Sequence, residues 1–307
     1  RAEVWMEPGL TPTDVEERAA SIHRSPAQPG RVAAILGAGN ITAIAALDVL
    51  CKLFVDGEVA VLKMNPVNEA LGPVLERALG PLVAGRYLRF VYGGAEVGER
   101  LVFHPGVDTV HITGSARSHD VIVFGADDDA VDRRARGEPR LDKPITSELG
   151  GVTPTIVVPG PWRRSDFRFQ AEHLVTQKLH NNGFNCIASQ VLVLPEGWDG
   201  SDRLMDDLRT AMDGAPGRPS YYPGSEQRRD AIAERHGDHE ALGPDGERIL
   251  LPDVDAAGDD RSFFQQEYFA PVYAVTRLAD DDPAGFLRRA CEFVDAEVAG
   301  TLGVNLI

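Results

Sequence analysis

From Arg31 onward, short apolar runs alternate with longer segments whose apolar residues recur at helical spacing. The runs "RVAAIL", "EVAVLK", "LRFVYG" and "TVHITG" read as buried strands. Between them, "ITAIAALDVLCKLF", "NEALGPVLERAL" and "GAEVGERLVFH" read as helices. This alternation predicts consecutive βαβ units, and therefore a parallel sheet with helices on both faces. A polar helix from Thr13 to His23, capped by Thr11 or Thr13, precedes it and ends at the breaker-rich "SPAQPG". After "SHDVIVFG" comes "ADDDAVDRRARGEPRLDKP", whose charge density predicts an exposed loop or inserted hairpin. A second α/β region follows. Its strands are "TPTIVVP", "ASQVLVLP" and "YAVTRL", and its helices are "FQAEHLVTQKLHNN", Asp202 to Met212 and "AGFLRRACEFV", with a charged stretch reaching Arg261. The pattern is that of an α/β protein with a Rossmann-type domain and a second α/β domain, each built on a mostly parallel sheet.

Composition narrows the partners. The 307 residues are 43% hydrophobic, enough for two domains with cores, and the formal net charge is −16. Nucleic acid and anionic lipid both require clustered Lys and Arg, so neither is an expected partner. No apolar run reaches the roughly 18 residues of a membrane span, because Asn40 and Asp48 interrupt the best candidate. The expected setting is the cytoplasm. Three separated cysteines (Cys51, Cys186, Cys291) form no CxxC pair, which argues against a disulfide framework or a zinc knuckle. Only Lys52, Lys63, Lys143 and Lys178 are lysines in an otherwise arginine-based set, so each merits scrutiny.

Three stretches carry candidate chemistry. "GAGN" after the first strand resembles a dinucleotide phosphate loop, but Gly37, Gly39 and Thr42 give G-x-G-x-x-T without the third glycine. The acid that would hold the ribose hydroxyls belongs at the end of the next strand, but Glu58 stands at its start and Lys63 at its end. The loop is therefore a phosphate cradle, a structural turn, or a catalytic turn using Asn40. In "HNNGFNCIASQ", Cys186 follows Gly and Asn at a helix-to-strand break, where backbone N–H groups can stabilise a thiolate. The alternative for any lone cysteine is a small buried hydrophobe, the reading given to Cys51 and Cys291. In "KPITSELGG", Glu148 stands in an apolar, glycine-flanked turn whose burial would raise its pKa, as suits a general base; a capping or solvated Glu is the alternative.

Taken in order, "LGAGN", "VLKMNP", "HITGS", "SELGG", "NNGFNCIA" and "QQEYFAPV" resemble the signature segments of the aldehyde dehydrogenase superfamily, over about residues 31–307. The resemblance implies residues 31–147 as an NAD(P)-binding domain and 148–307 as a catalytic domain, after an N-terminal helical segment, 1–30. Cys186 matches the nucleophile, Glu148 the general base for the deacylating water, and Asn40 the side-chain donor of the oxyanion hole. Lys63 matches the lysine on the adenosine ribose, Glu267 the carboxylate on the nicotinamide ribose, and Thr113, Gly114 and Ser115 the turn at the pyrophosphate. Phe269 and Pro271 match a segment behind the nicotinamide. The implied activity is NAD- or NADP-dependent oxidation of a small aldehyde to an acid. A CoA-linked acyl-thioester reductase and an inert nucleotide-binding scaffold are the alternatives.

Some positions depart from the family pattern. "ARSH" after "TGS" alters the pyrophosphate end through Ala116, Arg117 and His119, and Pro66 stands where NAD-preferring members place Glu. Phe184 and Asn185 precede the cysteine, with Phe184 expected to line an apolar substrate funnel. The chain starts at Arg1 and ends at "VNLI", which reads as an incomplete C-terminal end; a full-length member is expected to be a homo-oligomer, dimer or tetramer.

Overall fold

The computed structural model describes residues 3–19, 21–24, 29–279 and 282–307, and the chain divides into two compact units, Arg1–Glu148 and Leu149–Ile307. The break expected at "SPAQPG" lies largely outside the described residues, as does one residue of the helix expected from Thr13 to His23. What is described there is a shorter helix, α1 (Pro12–Arg18), followed by a 3-10 turn at Ser21–His23. Thr11 caps α1 reciprocally with Asp14: the Asp14 N–H donates to Thr11 Oγ1 at 3.2 Å and the Thr11 N–H to Asp14 Oδ2 at 2.8 Å.

The first unit is built on β1 (Arg31–Leu36), β2 (Glu58–Lys63), β3 (Leu88–Val91), β4 (Thr109–Gly114) and β5 (Ile145–Leu149), in the order β3-β2-β1-β4-β5. Strands β1 to β4 are mutually parallel, with Leu36 in register with Lys63 on one side and Ile112 on the other. Helices α2 (Ile44–Phe54), α3 (Gly72–Ala78), α4 (Gly80–Ala84), α5 (Ala95–Val102), α6 (Ala116–Phe124) and α7 (Ala130–Arg136) connect them. The alternation of strand side chains feeds two cores. Ile35, Ala60 and Leu62 pack with α2 and α3 on one face, while Ala34 and Val110 pack with Val102 and Leu141 on the other. Because the order reverses at β1, the crevice beyond its carboxyl end is a topological switch point, where open α/β sheets bind ligands.

Two expectations are corrected here. "NEALGPVLERAL" is not one helix. A 3-10 turn at Glu69–Leu71 leads into α3, and α4 follows directly, because Pro73 and Pro81 each start a new helix at the position where a missing N–H costs nothing. The charge-dense insert is neither loop nor hairpin throughout. It contains α7, ended by Gly137 in the left-handed conformation (φ 67°).

Glu58, at the start of β2, is structural. Only 2% exposed, it accepts Thr109 Oγ1 at 2.7 Å and pairs with Arg31 at 2.7 Å and Lys52 at 3.7 Å, tying β1, β2, β4 and α2 together. Glu58→Gln leaves Lys52 buried with less compensation. Arg31 being half exposed, the expected loss is about 2 kcal/mol, below the full cost of breaking a buried pair. A urea melt checks this; an unchanged midpoint would show the cluster to be neutral.

The second unit holds β6 (Thr153–Ile156), β7 (Ser189–Pro195), β8 (Glu240–Leu242), β9 (Arg248–Leu251), β10 (Val272–Leu278) and β11 (Asn305–Leu306), in the order β11-β6-β7-β10-β9-β8. All described pairings are parallel except β8 with β9. Helices α8 (Arg164–Leu179) and α9 (Ser201–Gly214) cover one face, meeting Leu192, Leu194, Tyr273 and Val275. On the opposite face, α10 (Ser225–Arg235), α11 (Ser262–Gln265) and α12 (Pro283–Glu297) meet Val191, Val193, Val272 and Ala274. The strands are thus apolar at consecutive positions because both faces are buried. The charged stretch before Arg261, which shows no periodicity in sequence, contains α10, β8 and β9. No helix among the described residues is long and apolar enough to cross a membrane.

Candidate active site

In the second unit, α8 ends at Leu179 and the chain enters a 3-10 turn, His180–Gly183, rather than continuing as helix to Asn182. Asn181 (φ 53°), Asn182 (φ 55°) and Gly183 (φ 79°) are all left-handed. Such a run costs roughly 1–2 kcal/mol per non-glycine residue, least for Asn, so it must be held from outside. The Asn181 Nδ2 donates to the Phe184 carbonyl at 3.2 Å and to the Tyr221 hydroxyl at 2.8 Å, and Asn182 Nδ2 donates to the Arg218 carbonyl at 3.3 Å. Gly183 lies against the Ala270 carbonyl: a Cβ there would stand 2.7 Å from that oxygen. The chain then turns at Asn185–Ala188, closed by the Ala188 N–H on the Asn185 carbonyl at 3.0 Å, and this turn presents Cys186, half-buried, just before β7. By contrast, Cys51 and Cys291 are exposed, not the buried small hydrophobes expected.

Phe184 does not line a funnel. It is fully buried, with its ring 5.0 Å from Tyr221, 5.7 Å from Tyr222 and 5.8 Å from Phe269. It serves as packing that joins the cysteine loop to "QEYFAPV". Phe269 itself has φ 47°, an uncommon left-handed aromatic. Arg228 on α10 clamps this bend, donating from Nε to the Tyr268 carbonyl at 2.5 Å and from Nη2 to the Phe269 carbonyl at 3.2 Å. From β7, buried Gln190 accepts the Tyr268 N–H at 2.8 Å and donates to the Gln266 carbonyl at 2.8 Å, so Glu267 is fixed on both sides. Neither Arg228 nor Gln190 was singled out from sequence. Arg228 lies in the charged stretch, and only its hydrogen bonds to the Tyr268 and Phe269 carbonyls reveal it.

Glu267 Oε2 abuts Gly150, where a Cβ would be 2.2 Å away, which explains the first glycine of "GG". The second, Gly151, abuts Gly300. Glu267 Oε1 is buried with no hydrogen-bond partner. Burial pushes its pKa up to about 7, against the pull of Lys178 and then Arg228. An acceptor left unsatisfied in the protein fits the hydroxyl of a sugar.

In the first unit, the candidate residues gather at the carboxyl edge of the parallel strands. Lys63 ends β2, "GAGN" follows β1, and Thr113 and Gly114 end β4. Gly37 and Gly39 are not left-handed; they permit close approach. A Cβ on Gly37 would meet Ala45 Cβ at 3.1 Å, and one on Gly39 would meet the Asn65 amide at 2.7 Å. Asn40 is half-buried at the end of this turn. Lys63 is buried, and desolvation lowers its pKa against the attraction of Glu69. Thr113 Oγ1 donates to Asp48 Oδ2 at 3.0 Å. Ser115 caps α6, accepting the Ser118 N–H at 3.1 Å, and the first turn of α6 has no acidic residue while exposing Arg117. Helix amides and a guanidinium there together favour an anion. Glu148 is not in a buried turn: it is exposed, one residue before the end of β5.

The fold is thus a pair of α/β units with ligand-type strand edges, and comparison with known proteins identifies it. The aldehyde dehydrogenase family matches residues 7–221. N-succinylglutamate 5-semialdehyde dehydrogenase 1 of Caulobacter vibrioides is 29% identical over 287 residues, covering 87% of this chain and 57% of that protein. The succinate-semialdehyde dehydrogenase [NADP(+)] of Mycolicibacterium paratuberculosis is 28% identical over 211 residues, 64% of this chain and 41% of its own. In fold, an aldehyde dehydrogenase of Mycobacterium tuberculosis, solved with NAD+, superposes with a TM-score of 0.64 at 19% identity, over 91% of this chain and 62% of that one. The chain belongs to the aldehyde dehydrogenase family and spans about half the length of the curated relatives it matches.

Proposed function

We propose that this chain carries the NAD(P)-dependent oxidation of a small aldehyde to its acid, with residues 31–147 as the cofactor domain and 148–307 as the catalytic domain. The observation that carries it is the strained, externally held "NNG" turn that presents Cys186 beside the clamped segment bearing Glu267. Backbone strain of this kind concentrates at functional sites. When bound, the dinucleotide supplies the acceptor for the aldehyde's hydride. Lys63 would hold its adenosine ribose, Glu267 its nicotinamide ribose, Thr113, Gly114 and Ser115 its pyrophosphate, and Phe269 would pack behind its nicotinamide. Relatives and fold neighbours are named with NADP+ or NAD+, which supports the cofactor class.

On this reading the Cys186 thiolate attacks the carbonyl carbon to give a thiohemiacetal. Asn40 and the Cys186 N–H stabilise the oxyanion. Loss of hydride leaves an acyl thioester, and Glu148 takes the proton from the water that releases the acid, freeing the thiol. An exposed Glu148 suits proton exchange with solvent. The expected setting, a homo-oligomer in the cytoplasm, remains part of this proposal.

Incubating the chain with a panel of aldehydes, succinate semialdehyde included, and NAD or NADP should give reduced dinucleotide and free acid without coenzyme A. Binding of dinucleotide without turnover on any aldehyde would favour the scaffold, and a requirement for coenzyme A the thioester-linked alternative. Asn40→Ala should lower turnover by about 10²-fold or more, the effect of removing one oxyanion donor, while changing dinucleotide affinity less than about twofold. A phosphate loop would show the reverse.

A further inference from the structure

The left-handed turn that presents Cys186 is gripped by one segment, residues 218–224, which joins α9 to α10. The Arg218 carbonyl accepts Asn182 Nδ2 at 3.3 Å, and the Tyr221 ring stands edge-on to Phe184 with centroids 5.0 Å apart. Tyr221 also meets Asn181 through its hydroxyl, on both polar atoms of the amide. The phenol oxygen accepts Asn181 Nδ2 at 2.8 Å and donates to Asn181 Oδ1 at 3.1 Å. A hydroxyl can do both, having one donor hydrogen and two acceptor lone pairs. Tyr221 thus touches the turn at Asn181, where the left-handed run begins, and at Phe184, just beyond its end.

The segment is itself anchored. Ser220 Oγ is hydrogen-bonded to Ser225 Oγ, the Ser225 N–H donates to the Tyr222 carbonyl at 3.2 Å, and Arg228 Nη1 donates to the Pro223 carbonyl at 3.4 Å. Tyr221 lies between these fixed points, yet it is 44% exposed, so burial does not account for its place. Packing does little of the holding on this side. Asn182, Arg218, Ser220, Ser225 and Pro271 line a cavity of about 310 Å³, which supplies no packed wall against the turn. Hydrogen bonds from the segment to Asn181 and Asn182 bridge that gap.

We propose, resting on the functional reading above, that Tyr221 is a positioning residue for the nucleophile: its phenol oxygen, bonded to both polar atoms of the Asn181 amide, holds the left-handed turn in the conformation that presents Cys186. Without that oxygen the amide loses a partner at each end, and a strained non-glycine backbone relaxes toward its ordinary region. Cys186 then moves with the turn. A misplacement of about 1 Å at a reacting atom costs up to about 10²-fold in rate. The phenol acts through Asn181 and not on the aldehyde or the dinucleotide, so its loss alters the chemical step and spares the binding of either.

The test compares the wild-type full chain with Tyr221→Phe, which keeps the ring against Phe184 and removes only the oxygen. Saturating turnover should fall about tenfold or more, while the aldehyde KM and the calorimetric dinucleotide affinity change less than about twofold. Hydrogen exchange reads the turn without any turnover. The Phe184 N–H, bonded to the Asn181 carbonyl at 3.0 Å, should exchange about tenfold faster in Tyr221→Phe, the scale of one lost hydrogen bond. Asn181→Gly removes the amide but tolerates the left-handed backbone. In that background Tyr221→Phe should change turnover and exchange less than about twofold. Unchanged turnover, an unchanged Phe184 exchange rate, a loss expressed mainly in KM, or a full effect persisting in Asn181→Gly would overturn the inference. A wild-type chain that oxidises no aldehyde would instead overturn the functional reading, and Phe184 exchange would still decide whether Tyr221 holds the turn.

Discussion

Cys186→Ser is expected to lower aldehyde-dependent formation of reduced dinucleotide by about 10⁴-fold or more, with dinucleotide affinity changed less than about twofold. A serine hydroxyl is a far weaker nucleophile than a thiolate at neutral pH. The substitution conserves shape, so the turn closed between Asn185 and Ala188 should persist. Iodoacetamide labelling sharpens the result. Cys51 and Cys291 are exposed and should label in both proteins, whereas Cys186 is half-buried in its turn and its labelling should respond to bound dinucleotide. Turnover retained within about tenfold would overturn the role of Cys186.

Gly183→Ala should cost about 3 kcal/mol in a urea melt and abolish turnover together with it. Two terms contribute. A left-handed φ of 79° costs an alanine roughly 1–2 kcal/mol. The new Cβ would also stand 2.7 Å from the Ala270 oxygen and 3.0 Å from its carbon. These are backbone atoms that cannot rotate aside, and forced overpacking adds roughly 1–3 kcal/mol. Gly197→Ala is the control, because Gly197 has φ 76° with nothing within 4 Å of its Cβ. It should show the conformational term alone, about 1 kcal/mol. Equal losses at both positions would mean that the approach of the cysteine loop to Ala270 contributes nothing.

The parallel sheets were legible because both faces of their strands are buried, which writes consecutive apolar residues into "RVAAIL" and "ASQVLVLP". The glycines of "GAGN" and "NNGF" were legible as turns, but their reasons were not. Gly39 yields to the Asn65 amide and Gly183 to the Ala270 carbonyl, and such contacts between distant segments leave no local pattern. Glu148 was misplaced for a related reason. Its flanking glycines suggested a turn, yet Gly150 and Gly151 are small because Glu267 and Gly300 approach them, and Glu148 itself continues β5. Arg228 hid in a stretch too charged to show periodicity. Lys178 stood out only through the scarcity of lysine, and nothing in the local pattern announces that it is buried in α8.

The left-handed turn also has a chemical lifetime. Asn182–Gly183 is the chain's one Asn–Gly bond, the dipeptide that most readily closes to a succinimide in flexible chains, by attack of the glycine nitrogen on the asparagine amide carbon. In the fold, Asn182 is buried, its Nδ2 engaged by the Arg218 carbonyl and its backbone held left-handed, so the rotation that would bring the glycine nitrogen onto the amide carbon is restrained. Conversion of Asn182 during storage would therefore record each opening of the loop that carries Cys186, turning a covalent scar into a clock for the local unfolding of the site.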